Sequence, residues 1–97
     1  MANMPFVVKG GTSFAQALLR ALAGAGIVVA SPAVIWNKHG RFENAPMQVM
    51  RLSAARTGET AYRIQTSDLE GAARGLMDCE AALDEVIATV VGDLANA

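Results

Sequence analysis

One cysteine, one histidine and few aromatic residues in a chain of 97 leave little material for several kinds of chemistry. Cys79 alone excludes an internal disulfide and leaves nothing to build a thiolate zinc cluster. With His39 as the single imidazole, a tetrahedral metal site within one chain is also disfavoured. No metal and no cofactor is therefore expected, and a lone free thiol suits a reducing, cytoplasmic setting. Aromatics make up 5% of the chain, so a stacking platform for unpaired bases is not evident. A long apolar run is missing too. Ala21–Asn37 carries no charge, but Gly24, Gly26 and Pro32 interrupt it and it falls short of the roughly 20 residues that a spanning helix needs. The same stretch has the outline of an export signal, with Lys9 and Arg20 before Ala21–Ala30 and a small-residue site at Ser31-Pro32-Ala33. The basic end is too long for that layout, and the expectation is neither export nor membrane insertion.

What is present is a core. Apolar residues make up 53% of the chain, chiefly Ala, Val, Leu, Ile and Met, enough for one small domain over residues 1–97 and too many for disorder. Charge is sorted by position beneath a net of −1. Residues 1–63 carry seven cations, Lys9, Arg20, Lys38, Arg41, Arg51, Arg56 and Arg63, against Glu43 and Glu59, a net of +5. Residues 64–97 carry Arg74 against seven acids, Asp68, Glu70, Asp78, Glu80, Asp84, Glu85 and Asp93, a net of −6. Such asymmetry points to a charged partner surface or to two faces that satisfy each other.

Along the chain, Phe6-Val7-Val8 reads as an optional short strand closed by Lys9-Gly10-Gly11. Ser13 and Gln16 then fit a capping box. Phe14, Leu18, Ala21, Leu22 and Ala25 recur at helical spacing, and Gly24 and Gly26 supply a stop. Ile27-Val28-Val29 continues the helix, joins the next strand or stands alone, and Ser31-Pro32 breaks it. Ala33–Trp36 reads as a strand, Asn37-Lys38-His39-Gly40 as a tight turn, and Arg41-Phe42-Glu43 as the antiparallel return. After the corner at Asn44-Ala45-Pro46, Met47–Ala54 and Thr60–Thr66 form a hairpin through Arg56-Thr57-Gly58-Glu59. Strand alternation sends Met50, Leu52, Tyr62 and Ile64 to the core. It turns Val49, Arg51, Ala61, Arg63 and Gln65 the other way. Ser67 with Glu70 reads as a second capping box, opening a helix whose apolar stripe runs from Leu69 through Leu76, Cys79, Leu83, Val86, Ile87 and Val90 to Leu94. Unbroken over residues 68–95, that helix would be about 42 Å long. A domain of this size is about 26 Å across, taken as twice its expected radius of gyration. The far end must break, pack back or meet another subunit, and Leu83, Ile87, Val90, Val91 and Leu94 are the expected interface of a homodimer built partly from it.

The chain carries no complete motif for phosphate, dinucleotide or nucleophilic chemistry. Lys9-Gly10-Gly11-Thr12-Ser13 lacks the order of a phosphate-binding loop, and Gly24-Ala25-Gly26 follows a helix where a dinucleotide fingerprint must follow a strand. No Ser, Cys or Asp is placed by sequence to complete a catalytic group with His39. Cys79 lies on an apolar stripe between Asp78 and Glu80, whose charges would raise its pKa, so it reads as core. Asp84 and Glu85 belong to a face opposite the stripe, either solvated, able to occupy a basic groove on a partner, or able to pair with the chain's own arginine-bearing sheet across a dimer.

The fold expected is α+β: an antiparallel sheet of three to four strands packed against two helices, in the order (β)-α-β-β-β(-β)-α, with a long C-terminal helix. That order is similar to the topology of double-stranded-RNA-binding domains. Those domains place a lysine cluster at the start of the last helix, where Ser67, Asp68, Leu69 and Glu70 stand here, so the similarity does not extend to the binding surface. The function expected is a non-enzymatic protein–protein interaction module, a small regulator or inhibitor of a larger complex, with a nucleoprotein complex among the candidate partners. In size and style it resembles phage and mobile-element proteins such as anti-CRISPR inhibitors. Its partner-binding candidates are Arg41, Arg51, Arg56, Arg63, Asp84 and Glu85. The alternative is a nucleic-acid-binding protein that uses Arg41, Arg51, Arg56 and Arg63 on a basic sheet face.

Overall fold

Gly10 and Gly11 sit in the middle of a helix, and their lack of side chains decides how the layers close. A computed structural model describes residues 2–97, in the order α1 (Met4–Gly24), β1 (Val29–Trp36), β2 (Met47–Ala54), β3 (Gly58–Gln65), α2 (Thr66–Ala73) and α3 (Met77–Ala95). Phe6–Val8 is thus helical rather than a strand. Val7, Gly10, Gly11, Phe14, Leu18 and Leu22 are the buried positions of α1, one stripe at helical spacing that begins before the glycine pair. Asn3 precedes the helix, its Oδ1 accepting from the Phe6 amide at 3.4 Å, and Pro5 stands in the first turn, where no amide partner is needed. Ser13 is an exposed mid-helix residue and caps nothing. A methyl group on Gly10 would overlap the Leu69 carbonyl, and one on Gly11 would overlap the Phe42 ring. The pair is a site of close approach, which offsets the helix propensity that each glycine forfeits.

The expected single C-terminal helix is two helices. The turn between them repeats the one that ends α1. After α1, Gly26 adopts a φ of +75°, Gly26 N donates to Ala23 O at 3.0 Å and Ile27 N to Leu22 O at 2.9 Å. After α2, Gly75 adopts a φ of +80°, Gly75 N donates to Ala72 O at 3.0 Å and Leu76 N to Gly71 O at 2.9 Å. Both are the glycine stop in which two amides satisfy the last carbonyls of the helix. Ser67 is likewise not a cap. Helix α2 starts one residue earlier, at Thr66, and the Glu70 carboxylate accepts from the Asn3 amide at 2.6 Å, tying α2 to the start of α1. Gly71 lets Cys79 of α3 against α2, since a methyl there would overlap the Cys79 sulfur.

The sheet is antiparallel, in the order β1-β2-β3. Arg41-Phe42-Glu43 forms no strand. It belongs to the loop joining β1 to β2, and the Phe42 ring turns inward against Trp36 with ring centroids 4.6 Å apart. Three strands are therefore found among the described residues, and three helices where two were expected. Val29 joins β1, whose register against β2 shifts between Val29 and Val34 around Ser31-Pro32. The β2–β3 hairpin is unbroken, from Met47 opposite Gln65 to Ala54 opposite Gly58. Its alternation is as read from sequence: Met50, Leu52 and Ile64 are buried under the helices, while Ala61, Arg63 and Gln65 are exposed. Helices thus cover one face of the sheet and leave the other open, and the Cα extents of 37 × 29 × 16 Å are those of two layers.

Gly10→Ala should lower stability by about 3 kcal/mol, because the added methyl meets backbone that has nowhere to go. Gly24→Ala, at a helix position with nothing near, should raise it by about 0.5–1 kcal/mol. Thermal or urea unfolding of the two variants checks the contrast, and equal effects would contradict the α1–α2 contact.

Candidate functional site: the open sheet face and its loop

Among the described residues three polar side chains are buried: Asn37, Gln48 and Thr66. Gln48 occupies the core side of β2, on the same face as Met50 and Leu52, and its amide is used fully. Its Oε1 accepts from Asn37 Nδ2 at 2.7 Å and from the Glu43 amide at 3.0 Å. Its Nε2 donates to Glu43 O at 2.7 Å and to Thr66 Oγ1 at 2.9 Å. Thr66 Oγ1 donates in turn to Ala45 O at 2.5 Å, and Asn37 Nδ2 also donates to Arg41 O at 2.8 Å. Asn37 Oδ1 accepts from the Val49 amide at 2.8 Å, extending the β1–β2 ladder one residue past β1. Asn37 has a φ of +56°, a left-handed conformation that Asn tolerates better than other side chains. The loop over residues 37–46 is thus held by the Gln48, Asn37 and Thr66 side chains and pinned in the middle by Phe42. A buried network with every member satisfied specifies one geometry.

That geometry presents charge. Lys38, His39, Arg41 and Glu43 are exposed on the loop. On the adjoining open face, Arg51 donates from Nη1 to Asn37 O at 3.0 Å and from Nη2 to Glu59 Oε1 at 3.3 Å. Arg63 lies across from Val49 on β3, exposed and with no ion pair among the described residues. Asn37, Lys38, Glu43, Val49 and Arg51 line one shallow depression at the junction of loop and sheet. Arg56 stands apart on the β2–β3 turn, at the far end of an eight-residue strand. At about 3.4 Å per residue the strand separates it from the loop by roughly 25 Å. It lines a different, mostly apolar cleft with Ile27, Val28, Ala54 and Leu94. The four arginines named from sequence therefore form no single cluster, and Glu43 and Glu59 stand among the cations.

On α3, Asp84 and Glu85 are exposed, with Glu80 and Asp84 bordering a groove across from Lys9. The residues expected at a dimer interface are divided. Leu83, Val90 and Leu94 lie in this chain's own core, while Ile87 and Val91 are half-buried at its edge. His39 is on an open turn, with no hydrogen bond to its side chain among the described residues. The Cys79 thiol is pushed up, first by burial and then by Asp68 and Asp78, as expected for Asp78. Its sulfur faces Ser67 O at 3.8 Å. Among the described residues no three His, Cys, Asp or Glu side chains converge as metal ligands would, and no helix is long and apolar enough to cross a membrane. Sequence reasoning missed Asn37, Gln48 and Thr66. The signal for Gln48 was legible, since the alternation that buried Met50 and Leu52 buries residue 48 with them.

Gln48→Leu keeps the volume but leaves the Glu43 carbonyl and the Thr66 and Asn37 side chains short of partners. It should cost about 2–4 kcal/mol in chemical denaturation. A change under about half a kcal/mol would contradict the network. A second expectation concerns alkali. Burial first, then the Asp93 carboxylate that accepts from its hydroxyl at 3.3 Å, raises the Tyr62 pKa above 10.0. The unfolded chain thus loses this proton before the folded one does. Tyr62 contributes stability that is full below the unfolded value and is lost as pH rises through the folded value. Tyr62→Phe should remove that part of the alkaline decline, read from unfolding midpoints above pH 9.

In comparisons with known proteins, no family model, curated protein or solved structure matches the chain.

Proposed function

We propose that this chain is a non-enzymatic interaction module, a small regulator or inhibitor that docks on a protein partner through the 37–46 loop and the adjoining open sheet face. Work in a reducing, cytoplasmic setting fits its one unpaired thiol. The observation that carries the reading is the fully satisfied Gln48 network, which holds an exposed, charged loop in one conformation. Loops that ride on a rigid scaffold are where binding residues concentrate, and a loop frozen before binding loses little entropy on docking.

The charge pattern indicates the kind of partner. Lys38 and Arg41 on the loop are free of ion pairs among the described residues, which favours an acidic surface opposite. Glu43 and Glu59 lie among them, so the face is mixed. A polyanion would meet those carboxylates at a cost, whereas a protein surface can match both signs. Asp84 and Glu85 belong to the helical layer on the other side and are not part of this surface.

The double variant Lys38→Glu/Arg41→Glu should lower affinity for a captured partner at least tenfold with the fold intact by circular dichroism. Asp84→Lys/Glu85→Lys should leave affinity unchanged. Retention of the wild-type chain on heparin should be flat. Steep, salt-dependent retention that falls with Arg63→Ala would favour nucleic acid and overturn the reading. Loss of capture in the helix variant alone would overturn the assignment of the surface.

A further inference from the structure

The two free edges of the sheet differ. The edge of β1 is interrupted by the register shift between Val29 and Val34 and carries Pro32, which has no N–H to offer. The edge of β3 is clean. It pairs with β2 without a break over Gly58–Gln65 and contains no proline. Thr66 N donates to Pro46 O, which fixes the phase of the ladder. Even-numbered residues of β3 turn their backbone groups to β2. Glu59, Ala61, Arg63 and Gln65 turn theirs outward and find no partner among the described residues. An edge of this length, unbroken and unpaired, is a template for another strand.

We infer that the β3 edge is the docking site of a second copy of this chain, antiparallel, about a two-fold axis at Ala61. The phase restricts the choice of register. Outward groups belong to odd-numbered residues, so the hydrogen-bonded pairs across the axis join odd to odd. With Ala61 facing Ala61, Glu59 faces Arg63 of the second copy and Arg63 faces its Glu59, both pairs on the open face. Sliding the second strand by two residues sets each Arg63 against Ala61 or beyond the strand, and neither slide pairs Glu59 with Arg63. Sliding by four sets Arg63 against Arg63 in one direction and Glu59 against Glu59 in the other. The register centred on Ala61 therefore gives each unpaired Arg63 a carboxylate, Glu59 being shared between it and the Arg51 of its own chain, and the registers on either side lose that contact. Three pairs in this register supply about six backbone hydrogen bonds. On the helix side Thr60 meets Tyr62, half-buried residues whose remaining surface would be covered.

Such a contact is isologous, as closed dimers require, and it joins two three-stranded sheets into one. It also differs from an α3 dimer, because Leu83, Val90 and Leu94 are already committed to the core of each chain.

Sedimentation equilibrium of the full chain at tens of micromolar tests the inference. The wild type is expected to be a dimer. Ala61→Pro removes an N–H that points away from β2, so it should give a monomer with an unchanged circular dichroism spectrum. Arg63→Glu, which places acid opposite acid twice, should weaken the dimer about tenfold, and adding Glu59→Arg should restore it. A monomeric wild type would overturn the inference. So would a dimer indifferent to Arg63→Glu and, where that variant folds, to Ala61→Pro. None of these substitutions touches Lys38 or Arg41, so failure here and failure of the partner-binding reading are told apart.

Discussion

The placement of one side-chain amide, Gln48, governs what this protein can present. It lies on the core face of β2, where the strand's alternation calls for an apolar residue, and burying it unpaired would cost on the order of 1–3 kcal/mol for each lost hydrogen bond. The chain meets that demand with the Asn37 side chain at the start of the 37–46 loop, the Glu43 backbone within it and Thr66 at the start of α2. The cost of a buried polar group thereby becomes a constraint on geometry. The loop has no regular secondary structure, yet its course is fixed by bonds to a residue that follows it.

The helical layer supplies the second constraint. Glycines at positions 10, 11 and 71 remove the side chains that would hold α1, α2, α3 and the loop apart. Close approach at Gly11 admits Phe42, which anchors the centre of the loop, while Asn37, Gln48 and Thr66 bond it on either side. Core packing and the polar network therefore act on the same segment. The sheet face opposite the helices is left open with Arg51 committed to Asn37 and Glu59 and with Arg63 uncommitted.

Much of this was legible in the residues. The β2–β3 hairpin and the direction of each of its side chains follow from strict alternation. The stop of α1 follows from Gly24 and Gly26, and the mixed α+β class from the change of period along the chain. Two of the differences, the early start of α1 and the break in the C-terminal helix, turn on what a glycine does at its position. Gly10-Gly11 looked like the end of a strand because a helix rarely carries paired glycines, and only the Leu69 backbone and the Phe42 ring show what they make room for. Gly75 was passed over inside an apolar stripe, although Arg74-Gly75-Leu76 has the same pattern as Ala25-Gly26-Ile27, glycine followed by an aliphatic residue at a helix end. With the stripe broken there, α3 folds back and spends Leu83, Val90 and Leu94 on its own core. Excess helix length therefore no longer points to a dimer. The sorted charge was real but coarser than it looked. The arginines are spread from the loop to the hairpin turn, and their neighbours include acids.

Amide hydrogen exchange of the native chain, residue by residue, tests the central claim most directly. The Glu43 amide sits in a loop without helix or strand, yet it donates to the buried oxygen of Gln48. It should exchange as slowly as the β2 amides and far more slowly than that of its neighbour Asn44. Exchange of Glu43 at the rate of an open loop would mean that the network does not hold the loop, and that the surface it carries is not preformed.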